Sequence, residues 1–324
     1  MKTIAIIGAG FAGISLARQL QHSAKVQVFE KSSGFGGRMA TRRAGSYQFD
    51  HGAQFFTARS KQFKRLIREC VDENHVQAWQ ARVLTLDSGK KPYKREWFEP
   101  HYIAVPGMAS LCKTLAEGLN VSLDTRVVSI EAEGPHWLLS GQDGEQLGQF
   151  DWVITTTPAP QAAELLPECF AHRLELDNVD FSPCLSLMLG FESEPMLKFD
   201  ACVVRNSPLA WIALDSRKHS RPSSFSMVVH SDNEWARTQI ESDIDDTRNM
   251  MLEELEKHLG DALPRPEHIA IHRWRYARAE TSCEENFLLD KSNRLAACGD
   301  WCGGARVEDA YRSAIELGKQ LTTN

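Results

Sequence analysis

Residues 2–20 read KTIAIIGAGFAGISLARQL, and the class of fold is decided there. Ile4, Ile6 and Ile7 make a short β-branched run suited to a strand buried on both faces, as in a parallel sheet. Gly8, Gly10 and Gly13 then form G-x-G-x-x-G, followed by a helical pattern with Ile14, Ala17 and Leu20 on one face. The first glycine permits a tight turn, the second lets backbone approach a diphosphate, and the third allows close helix–strand packing. Free N–H groups and the positive end of the helix dipole would hold the diphosphate. KVQVFEK (25–31) supplies a second strand ending in Glu30, with Lys31 beside it. A carboxylate at that point accepts the hydroxyls of an adenosine ribose and favours a free 2′-hydroxyl, so FAD or NAD over NADP.

The next stretch separates the two dinucleotides. KSSGFGGRMATRR (31–43) brings Gly36, Gly37 and Arg38 directly after the acid. A plain NAD-binding domain has no need of a second glycine loop with a cation beside the first. An FAD diphosphate and ribityl chain would use both, the arginine supplying fixed charge to the phosphates. FDHGAQFFT (49–57) follows, where small residues allow close backbone approach and Gln54 can meet a ring edge. FAD is the expected cofactor.

The chain has 324 residues, 42% apolar and 25% charged, with a net charge of −6. That size suggests two domains, and the ordinary balance gives no reason to expect nucleic acid or anionic lipid as a partner. No apolar run approaches a membrane span, and Thr3 onward already reads as structure rather than as a signal peptide. Eight scattered cysteines do not form a disulfide framework, so reduced and mostly buried thiols in a cytoplasm are expected. With no linker in sight, two domains imply a chain that crosses between them more than once. Oligomeric state is not legible.

Farther along, 61–75 has helical periodicity and 105–119 reads as a turn and a helix. The stretch 120–134 alternates like one strand, and 151–166 is a buried strand returning to the nucleotide sheet. Asp232 to Gly260 reads as an acidic amphipathic helix or a pair of them. Residues 268–279 form a strand with His272, Trp274, Tyr276 and Arg278 on one alternating face, either a substrate wall or an aromatic core. G-x-S-x-G, H-E-x-x-H and paired C-x-x-C motifs are absent, so hydrolase and zinc chemistry are not expected.

IAIIGAGFAG, EKSSGFGGRM, DHGAQFFTAR, VPGM, VITTTPAPQ, HRWRYAR and GDWCGGARVEDAY occur in this order across essentially the whole chain. In that, the chain resembles the renalase family of amine-oxidase-like flavoproteins, its bacterial members above all. The resemblance implies an α/β fold with p-hydroxybenzoate hydroxylase-like topology. A Rossmann-type FAD-binding domain (1–60, 106–160 and 290–324) would be interleaved with a smaller α+β substrate domain (61–105 and 161–289). It implies non-covalent FAD and oxidation of 2- or 6-dihydro-NAD(P) to NAD(P)+, with electrons passing through flavin to O2 to form H2O2. Ala12, Glu30, Arg38, Gln54, Phe55, Val127 and Asp300 are the cofactor contacts it implies, Val127 through a backbone amide near the adenine. His272, Trp274 and Tyr276 are the expected substrate wall, with no general base assigned. The alternative is an FAD-dependent amine oxidase or desaturase. Many amine oxidases carry a lysine on a substrate-domain strand; SPCLSLMLGFE (182–192) has none, and Ser186 stands about where it would fall.

CGDWCGGARVEDAYRSAIELG (298–318) closes the cofactor site in this reading. Asp300 accepts from the ribityl hydroxyls, Gly299 precedes it, and Gly303 and Gly304 let backbone turn close to the ring. A helix from about Val307, packed through Ala310, Ala314 and Leu317, points its positive end at the flavin. Cys298 is expected in the core, and Cys302 near the flavin but not bonded to it. A redox pair of the two, as in a non-catalytic sensor, is the remaining reading.

Overall fold

The computed structural model describes residues 1–87 and 89–322. Its first strand, β1 (Thr3–Ile7), leads through the glycine turn into helix α1 (Phe11–Leu20) and back into β2 (Lys25–Phe29). These strands sit in a six-stranded sheet ordered Leu288–Asp290, Leu295–Ala297, Trp152–Thr155, β1, β2, Val121–Ser122. All neighbours are parallel except the pair formed by the Leu288–Asp290 edge. Alternation decides which face each residue covers. Ile4 and Ile6 pack with Ile14 and Leu20 of α1 and with Ala314 and Leu317 of the C-terminal helix Val307–Thr322. Ala5 and Ile7 point to the opposite face, against Trp137, Leu139 and Phe150. Those belong to a three-stranded antiparallel sheet, Val127–Glu133, His136–Gly141 and Gln146–Phe150. The result is a three-layer nucleotide-binding unit.

A seven-stranded mixed sheet stands beside it, ordered His268–Ala279, Phe181–Phe191, Phe225–Ser231, Leu209–Leu214, Ala201–Arg205, Val83–Asp87, Tyr93–Lys94. Leu185, Leu187 and Leu189 face Met251 and Leu255 of the helix Ile244–Leu259. Met188 and Val228 face the other way, onto Phe49. The chain leaves the first sheet for Val83–Lys94, returns at Val121, leaves again for Phe181, and returns at Leu288. Among the described residues, no helix is long and apolar enough to cross a membrane.

One reading of local structure changes, and one open choice is decided. The stretch 120–134 is not one strand: Val121–Ser122 edges the six-stranded sheet, and Val127 starts the three-stranded one. Asp124 between them takes φ 51°, and Thr125 N–H donates to the Glu30 carbonyl at 2.8 Å, turning the chain. The acidic stretch is a pair of helices, Asn233–Gln239 and Ile244–Leu259, because Asp232 and Asp243 each cap a new N-terminus.

Candidate cofactor and substrate site

The two glycine loops lie side by side. Gly36 N–H donates to the Ala9 carbonyl at 3.0 Å, and Gly10 bridges Gly36. A Cβ on Gly13 would strike the Gly8 carbonyl, so the third glycine is required by the crossing of α1 over β1. A Cβ on Gly37 would sit 3.5 Å from the Gly10 Cα, and Gly37 has φ +53°. Gly10 and Gly37 therefore bare a strip of backbone that any side chain would cover. Helix α1 begins there with Ala12 in its first turn, without a side-chain cap and without an acid in that turn. An uncapped N-terminus beside bare backbone fits a diphosphate.

Glu30 is buried, its Oε2 accepting from Ala9 N–H at 2.8 Å and its Oε1 from Ser32 N–H at 2.9 Å. Two carboxylate oxygens offer about four acceptor positions, which leaves room for ribose hydroxyls. Lys31 beside it is exposed. Val127 is 8% exposed and packs with Phe29, close to the Glu30 turn. These positions fit the adenosine end of FAD.

At the other end, Arg38 and Asp300 meet each other. Nη1 donates to Oδ2 at 2.8 Å and Nη2 to Oδ1 at 2.5 Å, a two-pronged pair joining the second glycine loop to the C-terminal turn. Separate roles toward phosphate and ribityl were expected from the sequence; the fold couples them. The pair uses two of the five guanidinium donors, and the Arg38 guanidinium also lies 5.7 Å from the centre of the Phe181 ring. Gly299 N–H donates to Ser313 Oγ at 3.1 Å, holding the turn to the helix that begins at Val307. The start of that helix differs from expectation. Its first turn carries Glu308, which accepts from Arg59 and Ser60 N–H at 2.7 and 2.6 Å, and Asp309. Part of the positive end is thus answered by the chain's own carboxylates. Gly304 makes room for Asp309, whose carboxylate a Cβ there would strike.

The segment 50–55 rests on a buried ionic cluster that no motif announced. Asp50, Asp215 and Lys218 have side chains 0% exposed, and Arg221 1%. Asp50 Oδ2 meets Arg221 at 2.5 Å and Lys218 Nζ at 3.4 Å, and Lys218 reaches Asp215 Oδ1 at 2.6 Å. Burial pushes the Asp50 carboxyl up, but Lys218, Arg221 and the hydrogen bonds from Met108 N–H and Thr41 outweigh it and hold it below the usual range. Burial, then the charge of Asp50, raises Asp215. Gln54 is drawn into the cluster: its Oε1 accepts from Lys218 at 3.2 Å, and its Nε2 donates to the Asp50 and Gly52 carbonyls. Its amide faces the protein, not an open ring edge. No reading of the sequence singled out D-x-x-K-x-x-R at 215–221, whose partner Asp50 lies more than 160 residues away.

Two aromatic groups flank this segment. Phe55 sits among His101, Trp97, Trp211 and Trp79, with ring centroids 4.4, 5.5, 5.8 and 6.0 Å away. On the other side, Trp274 stacks on His51 at 5.1 Å, and His272 meets Trp274 edge-on at 4.4 Å. Tyr276 is separated from them, edge-on to Phe181 at 5.8 Å. A bulge opposite Ser182–Cys184 interrupts the regular pairing of residues 274–278, so the expected alternating face is broken there. Burial holds His51 at about 3 and His230 at about 4, so both are neutral near pH 7. His51 Nδ1, Ser186 Oγ and Trp211 Nε1 are buried with no hydrogen-bond partner among the described residues. They share neighbours: Ser186 pairs with His230 and His272, Trp211 with His230, and His51 touches His272 at 5.0 Å.

Comparison with known proteins agrees with this fold. A family model described as flavin containing amine oxidoreductase matches residues 93–317, and one described as NAD(P)-binding Rossmann-like domain matches residues 6–70. Renalase of Mus musculus is 25% identical over 347 aligned residues, covering 99% of each chain. Among solved structures, one from Exiguobacterium sp. 255-15 assigned as a protoporphyrinogen oxidase superposes with a TM-score of 0.81 at 15% identity, covering 99% of both chains. Putrescine oxidase bound to putrescine gives 0.74 at 12% identity, covering 100% of this chain and 99% of that one.

Proposed function

Because the chain belongs to the flavin containing amine oxidoreductases and is a renalase-like, FAD-dependent oxidoreductase, we propose that it oxidises 2- or 6-dihydro-NAD(P) to NAD(P)+. In this reading residues 1–60, 106–160 and 290–324 hold FAD, while 61–105 and 161–289 cover it. Glu30 and Val127 take the adenosine, the bare backbone at Gly10 and Gly37 takes the diphosphate, and the Arg38–Asp300 pair takes the ribityl region. FAD, when bound, supplies an acceptor for a hydride and a route for two electrons to O2, giving H2O2. The substrate ring becomes aromatic as it loses hydride, so no protein base is required. The chain's task is to hold a flat ring in register and keep water out.

The observation that most supports this substrate is the trio of unpartnered polar atoms at His51, Ser186 and Trp211, two of them on rings of the two aromatic groups. Neutral donors and acceptors beside flat rings suit a dihydropyridine carboxamide. An amine is the second reading, since an aromatic cage such as that around Phe55 can hold an ammonium by cation–π attraction. Here, though, the protein supplies its own cation, with Lys218 Nζ 5.4 Å from the centre of the Trp79 ring. The test is anaerobic mixing of the oxidised enzyme with 2- or 6-dihydro-NAD while the flavin absorbance is followed. Bleaching much faster than with ordinary NADH is expected. Equal rates, or rapid bleaching by an amine panel alone, would overturn the proposal in favour of the amine reading.

A further inference from the structure

Cys302 follows Asp300 and Trp301 in the C-terminal turn and is 2% exposed. Its spacing from Cys298 suggests that pair, yet the fold offers another partner. Cys283 lies in the loop before Leu288–Asp290, and its N–H donates to the Trp301 carbonyl at 3.1 Å, which sets residues 283 and 302 alongside. Cys283 packs against the buried cluster that contains Cys302, and the two thiols are near enough to shift one another. Cys298 is wholly buried, with its thiol against Ser313. The Cys283 loop is anchored a second time, by Arg312 Nη2 donating to Asn286 Oδ1 at 3.1 Å. Cys283 is half-buried and open to small reagents, and its thiol also donates to the Glu285 carbonyl at 3.1 Å.

We infer that Cys283 and Cys302 form a peroxide-responsive dithiol that closes to a disulfide beside the turn bearing Asp300. The neighbouring Cys302 thiol pulls the Cys283 thiol down, while burial and then Cys283 hold Cys302 well above the ordinary thiol range. Cys283, half-buried where Cys302 is 2% exposed, is the sulfur that peroxide reaches and so the attacking one, with Cys302 resolving. The Cys283 thiolate attacks one oxygen of H2O2, the O–O bond breaks, and hydroxide leaves, giving a sulfenic acid. Cys302 then displaces that oxygen as water, so two thiols and one peroxide become one disulfide and two waters. The oxidant is hydrogen peroxide from any source, so the inference stands apart from the choice of substrate.

FAD-loaded protein is treated with hydrogen peroxide, alkylated under denaturing conditions, digested with trypsin without reductant, and mapped by mass. Cleavage after Arg278, Lys291, Arg294 and Arg306 puts Cys283 in peptide 279–291, and Cys298 with Cys302 in peptide 295–306. The expected product joins the two peptides with loss of two hydrogen masses, and dithiothreitol reverses it. Cys283→Ser, on an exposed loop, abolishes the link, and Cys298→Ser leaves it intact. An unlinked 295–306 peptide lacking two hydrogens would place the bond at Cys298 and overturn the inference. So would free Cys283 and Cys302 after peroxide has consumed the exposed Cys169, or oxidation of Cys283 to sulfinic acid without a link.

Discussion

Asp50→Ala probes the ionic cluster beneath the site. Asp50 is 0% exposed and accepts from Thr41 Oγ1 at 2.7 Å, Met108 N–H at 2.9 Å and Arg221 at 2.5 Å, with Lys218 at 3.4 Å. Truncation removes one of two carboxylates facing two cations and leaves Lys218 and Arg221 sharing Asp215. Removing one partner of a buried pair costs about 3–5 kcal/mol, because an uncompensated charge remains away from water. Glu241→Ala is the control: it breaks the Arg275–Glu241 pair, whose side chains are 50% and 71% exposed, and exposed pairs contribute about 0–1 kcal/mol. Urea unfolding of the FAD-loaded protein near neutral pH measures both, with the slope checked for constancy. Adding Arg221→Met to Asp50→Ala is expected to restore part of the loss by removing the stranded cation. An Asp50→Ala loss no larger than that of Glu241→Ala would show that water reaches these charges and would refute the closed cluster.

The neutral histidines make a second prediction, about acid. His230 is held at about 4 by burial, below its ordinary 6.5, so the unfolded chain binds a proton that the folded one refuses between those values. Its contribution to stability is present above the ordinary value and is lost as the pH falls toward about 4. From His230 alone the loss is on the order of 2 kcal/mol between about pH 7 and about pH 5, and His230→Asn should flatten that slope. An unchanged slope would mean that His230 titrates normally. At the cofactor, Asp300→Ala is expected to loosen FAD by about tenfold, since Arg38 loses the two-pronged pair that orients it. The flavin-to-protein absorbance ratio after gel filtration reads this, and full retention at low FAD would contradict it.

The sequence by itself determined the nucleotide-binding half and the course of its first glycine turn. Gly13 had to be glycine because α1 crosses Gly8, and Glu30, directly after β2, reaches back to Ala9 N–H; both depend only on the N-terminal strand–turn–helix–strand unit. Periodicity was enough for the strand His268–Ala279 and for the helix starting at Val307. Tertiary structure decided what depends on partners distant in the chain. Asp50 meets Lys218 and Arg221, Arg38 meets Asp300, and Cys302 lies alongside Cys283 as well as near Cys298. In each case the partner lies far away in the sequence and arrives only when the chain folds. Gln54 shows the division most plainly: its motif was visible in the sequence, but Lys218, from another part of the chain, sets where its amide points. Local spacing encodes backbone conformation; a charge buried against another charge is encoded only by the topology that joins them.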